Sequence, residues 1–164
     1  MKTQRVRITL PAFILSVTLL LPSYALAQQQ DRGRWYAFGS GGGQTGSGGV
    51  QIGGGIGYEW LLYKGLGVGG EAGGFSGADA RAVVSANGSY HFRQSASQKI
   101  VPFGTAGVSA MAGCGDGCGA NSAFNFGGGI NYWFRPNRAF RLEVRDYMFN
   151  DSDHKWEMRV GFTF

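Results

Sequence analysis

The chain closes on His154–Phe164, "HKWEMRVGFTF", and the reading of this stretch decides the fold. Counted back from the terminus, Phe164, Phe162, Val160, Met158 and Trp156 are apolar, and Thr163, Gly161, Arg159 and Glu157 lie between them. A period of two marks a strand whose side chains point alternately to opposite faces. One face is bulky and apolar throughout; the other is small or charged. In water, such a strand at a sheet edge invites aggregation. The solvent on its apolar side is therefore the question.

The other end of the chain reads as an address. Lys2, Arg5 and Arg7 form a positive n-region, Ile8–Leu21 an apolar core, and Ala25-Leu26-Ala27 a small-x-small cleavage site before Gln28. A membrane anchor is the alternative, but the apolar run is short for a span and holds Pro11. Residues 1–27 are thus expected to be a cleaved secretory signal peptide. No cysteine follows the apolar core, so a lipid anchor is not indicated. The remainder, 28–164, has 164 − 27 = 137 residues, with 15 − 3 = 12 Lys and Arg against 10 Asp and Glu. That net charge of +2 shows no basic cluster and gives no reason to expect nucleic acid.

The alternation recurs along the whole of 28–164. Val50–Leu62 sets Val50, Ile52, Ile56, Tyr58, Trp60 and Leu62 against Gln51, Gly53, Gly55, Gly57 and Glu59. Val84–Phe92, Phe124–Phe134 and Ala139–Tyr147 repeat the pattern, and Trp35–Gly43, Leu66–Phe75 and Ile100–Ala112 repeat it more faintly through their glycines. With the C-terminal strand this makes eight, joined by short polar or glycine-rich connections at 46–49, 63–65, 77–81, 93–98, 113–121, 135–138 and 150–155. A soluble sandwich also alternates, but its second face shows charge to water. Here that face is mostly glycine, serine and asparagine, which suits the cramped interior of a narrow closed barrel. Aromatics gather near strand ends (Tyr58, Trp60, Tyr90, Phe92, Tyr132, Phe134, Phe162, Phe164), as an interfacial girdle at the end nearer the termini would require. Eight tilted strands of about ten residues can span a bilayer. In hydrocarbon, a sheet must close on itself to satisfy its backbone. The expected fold is an all-β, eight-stranded, antiparallel up-and-down transmembrane barrel. The apolar face of Trp156–Phe164 then meets lipid.

These features resemble the small eight-stranded outer-membrane barrels of the OmpA-like and opacity-protein superfamily. "VGFTF", "FNFGGGINYWF" and "FRLEVRDYMF" carry the resemblance, which spans essentially all of 28–164. It implies the outer membrane of a Gram-negative-type envelope, with both termini in the periplasm. It implies that Trp156, Val160, Phe162 and Phe164 form the barrel-assembly signal, and that the assembly machinery and periplasmic chaperones are partners alongside membrane lipid. Short outer loops depart from the group, and no peptidoglycan-binding domain is read after the barrel.

Several constellations invite a chemical reading. "GGGQTG" (Gly41–Gly46) and "GLGVGG" (Gly65–Gly70) match G-x-G-x-x-G, but no helix follows to receive a phosphate. Glycine in a narrow barrel gives room instead. By strand parity Glu59, Glu71, Arg141, Glu143, Arg145, Glu157 and Arg159 point inward, with His91, and Glu143 and Arg145 can sit beside Arg159 and Glu157. Buried ions need partners, so this set reads as a salt-bridged plug or as the filter of a narrow pore. The plug is preferred, because eight strands enclose little beyond their own side chains.

Cys114 and Cys118 in "GCGDGC" read as a disulfide across an outer loop, since a metal would want more ligands than nearby Asp116. Ser152, His154 and Glu157 are the types used by barrels that deacylate lipid A, in a different order. A solvated loop is the simpler reading. Sequons at Asn87 and Asn150 carry little weight. The expected protein is an integral outer-membrane barrel with a structural or surface-interaction role, without catalysis or cofactor. Outer loops around 41–49, 76–82, 113–121 and 149–155 would meet an extracellular ligand. A narrow porin-like channel is the alternative, and a lipid A hydrolase comes third. The oligomeric state is left open.

Overall fold

The computed structural model describes residues 33–44, 49–76, 80–93, 97–114, 118–149 and 154–164, with the backbone only at Cys114 and Cys118. Residues 1–27, the expected signal peptide, and the tips of the connections lie outside these residues. Eight strands follow one another: β1 (Gly33–Gln44), β2 (Val50–Tyr63), β3 (Leu66–Ser76), β4 (Ala80–His91), β5 (Ile100–Cys114), β6 (Cys118–Arg135), β7 (Arg138–Met148) and β8 (His154–Thr163). Each pairs antiparallel with the next, and β8 returns to β1 to close the barrel. The closing seam runs from Tyr36↔Thr163 to Gln44↔Lys155. It is extended by paired backbone bonds between Trp35 and Phe164, at 3.1 and 2.9 Å. The terminal strand that would be a hazard as a free edge has no free edge.

Period-two sequence becomes inside and outside. On β7, Ala139, Arg141, Glu143, Arg145 and Tyr147 are buried, while Phe140, Leu142, Val144 and Met148 are exposed. Strand bounds differ from the sequence reading at one end. Residues 80–83 belong to β4, and β5 and β6 continue to Cys114 and Cys118, so the connections expected at 77–81 and 113–121 shrink to 77–79 and 115–117. Alanine and glycine blur the alternation there, although the ladder continues through Ala112↔Ala120 and Gly113↔Gly119. The last pair is Cys114↔Cys118, directly across from one another on the backbone.

Connections 64–65, 92–99 and 136–137 lie at the end of the barrel that holds Gly33 and Phe164, here the terminus end. Those at 45–49, 77–79, 115–117 and 149–153 lie at the opposite, loop end. The β2–β3 turn places Lys64 at φ 46° and Gly65 at φ 87°, the positive-φ pair that a two-residue hairpin needs. Glycine is required at the second position: a Cβ on Gly65 would lie 2.3 Å from the His91 carbonyl oxygen.

Room inside comes from pairing large with small. Phe38 and Tyr36 on β1 face Gly55 and Gly57 on β2, and Phe103 and Glu143 flank Gly129. A Cβ on Gly57 would stand 2.4 Å from the Tyr36 ring, and one on Gly129 1.9 Å from the Leu142 carbonyl oxygen. The inward glycines are thus the space that the large inward side chains occupy.

Candidate functional site: the filled lumen

Parity carries Glu59, Glu71, His91, Arg141, Glu143, Arg145, Glu157 and Arg159 into the interior, each buried. Glu71, on β3, is the hub. The Tyr36 hydroxyl donates to it at 2.6 Å, Arg145 Nη2 at 3.0 Å, and Arg159 Nη1 at 3.0 and 3.1 Å to its two oxygens; Arg145 Nη1 also donates to it. Register explains how cations from the far wall reach it: Glu143 pairs with Arg159 across β7–β8, and Arg145 with Glu157. Glu143 accepts from Arg145 Nε at 2.7 Å and from Arg141 Nε at 3.1 Å. Glu157 accepts from the Tyr147 hydroxyl at 3.0 Å and from Arg159 Nε. Nearer the terminus end, Glu59 accepts from Ser89 at 2.5 Å and lies 2.9 Å from His91 Nε2.

Aromatic faces hold the remaining cationic surface. Arg141 lies over Phe103 at 3.9 Å from the ring centroid and Arg159 over Phe38 at 4.2 Å. The Lys155 ammonium sits over Phe75 at 3.0 Å. Such contacts strengthen when desolvated.

Two apolar layers bracket the charges. Phe75, Val83, Met111, Ala123 and Tyr147 pack together toward the loop end, with Phe149 against them. Val101, Trp133 and Ala139 pack toward the terminus end, and the Arg34 guanidinium lies 4.4 Å from the Trp133 ring centroid. Between the layers, on β4, β5 and β6, short neutral groups line the wall. Ser85 and Ser109 are hydrogen-bonded at 2.8 Å, and Asn125 donates to Ser109 at 2.8 Å. Charge assistance makes the Glu71 cluster the strongest set of bonds in the lumen.

Several inward residues escaped the sequence reading. Lys155 fell in an expected connection, yet it shares the parity of Glu157 and is 1% exposed. Tyr147 shares the parity of Arg145, and Tyr36 that of Phe38; both are buried donors to the carboxylates.

The Ser152–His154–Glu157 grouping does not form. Glu157 points into the lumen at 1% exposure, whereas His154 lies outside, its Nδ1 2.8 Å from Asp146 Oδ2. Alternation separates residues 154 and 157 onto opposite faces. Ser152 lies outside the described residues. Ser89 and His91 both serve Glu59 inside the barrel. Of the residues expected to form the barrel-assembly signal, Trp156, Val160 and Phe164 are exposed on the outer face. The side chains of Cys114 and Cys118 are outside the description.

The sequence matches no protein-family model and no curated protein. Its fold is similar to that of solved barrels. Neisserial surface protein A shares 12% identity over 80% of this chain and 95% of that one, with a TM-score of 0.68. The N-terminal β-barrel domain of Pseudomonas aeruginosa OprF shares 18% over 80% and 97%, at 0.60. Ail, the attachment invasion locus protein of Yersinia pestis, shares 14% over 82% and 100%, at 0.54; Ail has also been solved with the heparin analogue sucrose octasulfate. At such identities the likeness is one of fold. The chain has the eight-stranded transmembrane β-barrel fold found in bacterial outer-membrane proteins.

Proposed function

We propose that the protein is a non-catalytic integral barrel of the bacterial outer membrane with a structural or surface-interaction role, exported by residues 1–27 and closed to ions. One observation carries the reading: the Glu71 cluster crosses the lumen between two apolar layers. Moving an ion past it would mean parting buried charge pairs, and leaving one partner unpaired costs about 3–5 kcal/mol. Membrane lipid surrounds the outer face, and Trp156, Val160, Phe162 and Phe164 present the strand that the assembly machinery and chaperones would read.

The loop end is the contact surface. Its connections carry Asp79, Asp116, Asp151 and Asp153 and no Lys or Arg. A partner with basic groups suits such a rim better than a sulfated polymer of the kind seen with Ail. The direct Cys114↔Cys118 register supports a disulfide at the tip of the β5–β6 hairpin, because directly opposed residues fall within bridging reach.

Single-channel recording of the refolded chain in a planar bilayer tests the closed lumen. The expected trace is silent for a barrel that shows heat-modifiable mobility. Discrete openings that shift with Glu143→Gln or Arg145→Gln would replace this reading with that of a narrow channel.

A further inference from the structure

The connections at the two ends of the barrel differ in sequence charge: those at the loop end hold aspartates, and those at the terminus end hold or abut cations. All three terminus-end connections are flanked by or contain cations: Lys64 in the β2–β3 turn, Arg93 and Lys99 between β4 and β5, and Arg135 and Arg138 at the β6–β7 turn. All five are exposed. None of these connections contains an Asp or Glu anywhere in its sequence. Among the described residues, every Asp or Glu side chain is either inside the barrel or, as Asp146, outside near β8's start, where it faces His154. Among the described residues, no Asp or Glu side chain stands on the outside of this rim beside Lys64, Lys99, Arg135 and Arg138.

Just inside this rim runs the aromatic girdle. Trp35 and Tyr58 are in ring contact at 5.0 Å, Tyr90 and Phe92 at 4.9 Å, and Phe134, Phe140, Phe162 and Phe164 form a chain of contacts across β6, β7 and β8. These rings are outward and at the depth of a membrane interface. Cations one step beyond them stand at headgroup level, where long Lys and Arg stems reach the polar layer.

We propose that the terminus-end rim is a docking surface for the phosphates of anionic phospholipids in the leaflet that it faces. The inference rests on the membrane reading above and adds a ligand class to it. Distribution favours lipid over a polymer. The cations sit on three separate hairpin ends, between β2 and β3, β4 and β5, and β6 and β7, so they ring the barrel rather than form one patch. Headgroups surround a barrel on every side; a polymer would approach one side. The rim is also continuous with the lipid-covered outer face. Each cation near an anionic surface is worth on the order of a fivefold preference, and several acting together select anionic over zwitterionic lipid. The opposite rim, with its aspartates, lacks this preference, so the charge pattern also orients the barrel.

The test uses the refolded chain in phosphatidylcholine vesicles with a minority of phosphatidylglycerol. Trp60, on the girdle, is kept as the sole tryptophan, with Trp35, Trp133 and Trp156 replaced by Phe. Brominated phosphatidylglycerol should then quench Trp60 about threefold or more beyond its bulk share. Rising salt should weaken the excess. The quadruple variant K64Q/K99Q/R135Q/R138Q should return quenching to the bulk ratio, while K64R/K99R/R135K/R138K should keep the excess. Arg93 is left in place because it packs over the buried aromatic ring at position 133, which is Trp in the native chain and Phe in this background. Equal quenching by the two lipids in an inserted barrel would overturn the docking surface alone, as would an excess that survives in the neutralised variant. Retention on an acidic cell-wall polymer without lipid enrichment would overturn it too. A chain that gains no heat-modifiable form would overturn the membrane reading and the docking surface together.

Discussion

The lumen wall formed by β7 and β8 carries Arg141, Glu143, Arg145, Tyr147, Lys155, Glu157 and Arg159, whereas the wall formed by β4, β5 and β6 carries Ser85, Ser89, Thr105, Ser109, Asn125 and Asn131. Long ionised groups on one side reach across to Glu71 on β3; short neutral groups on the other bond to their neighbours. The two walls divide one task. Cations that extend far need the opposite wall kept short, and neutral groups that stay short leave the space. The charged wall is bound through long-range contacts that hold distant strands together. The neutral wall is bound mostly between adjacent strands, with Ser89 alone of the named serines reaching a carboxylate, Glu59, two strands away.

The comparison breaks most severely at the hub. Glu71→Ala should leave Arg145 and Arg159 short of their shared carboxylate and destabilise the barrel by about 3–5 kcal/mol in a reversible unfolding titration in lipid. A loss below about 1 kcal/mol would show the two walls to be equivalent. The next largest effect is expected where the walls meet. Gly129→Ala on β6 would place a Cβ 1.9 Å from the Leu142 carbonyl oxygen and 2.8 Å from Glu143 Cα. Such overpacking costs about 1–3 kcal/mol, visible as a lower unfolding midpoint. A smaller effect belongs to the neutral wall: Ser109→Ala removes the partner of Ser85 and Asn125 and should cost about 1 kcal/mol. The outward Gly39 sharpens the contrast between inside and outside. A Cβ there would meet only the Gly53 carbonyl oxygen, at 4.0 Å, so Gly39→Ala should change stability by less than about 0.5 kcal/mol.

Much of the fold was legible because a strand's period of two is written directly into residue order. All eight strands could be counted from it, along with the inward parity of Glu143, Arg145, Glu157 and Arg159. Legibility failed where side chains are small. The loop-end tips of β4, β5 and β6 are rich in alanine and glycine (Ala80, Ala82, Ala112, Gly113, Gly119, Ala120), and those residues alternate too little to mark a face. Lys155 was missed for a related reason: it opens its strand, and only the β7–β8 ladder places it opposite Tyr147.

Sequence by itself therefore determined which residues share a face, since alternation is local and covalent. It also determined that the faces differ so sharply that the sheet had to close. Which inward groups meet was decided only by the tertiary structure. Glu71 and Arg159 are 88 residues apart in the chain, and their contact depends on the registers of every intervening hairpin and on the seam between β1 and β8. The basic rim has the same origin. Lys64, Arg93, Lys99, Arg135 and Arg138 are scattered along the chain, and up-and-down topology alone brings them to one end of the barrel. Charge acts through space, so its pattern appears only when the strands are folded.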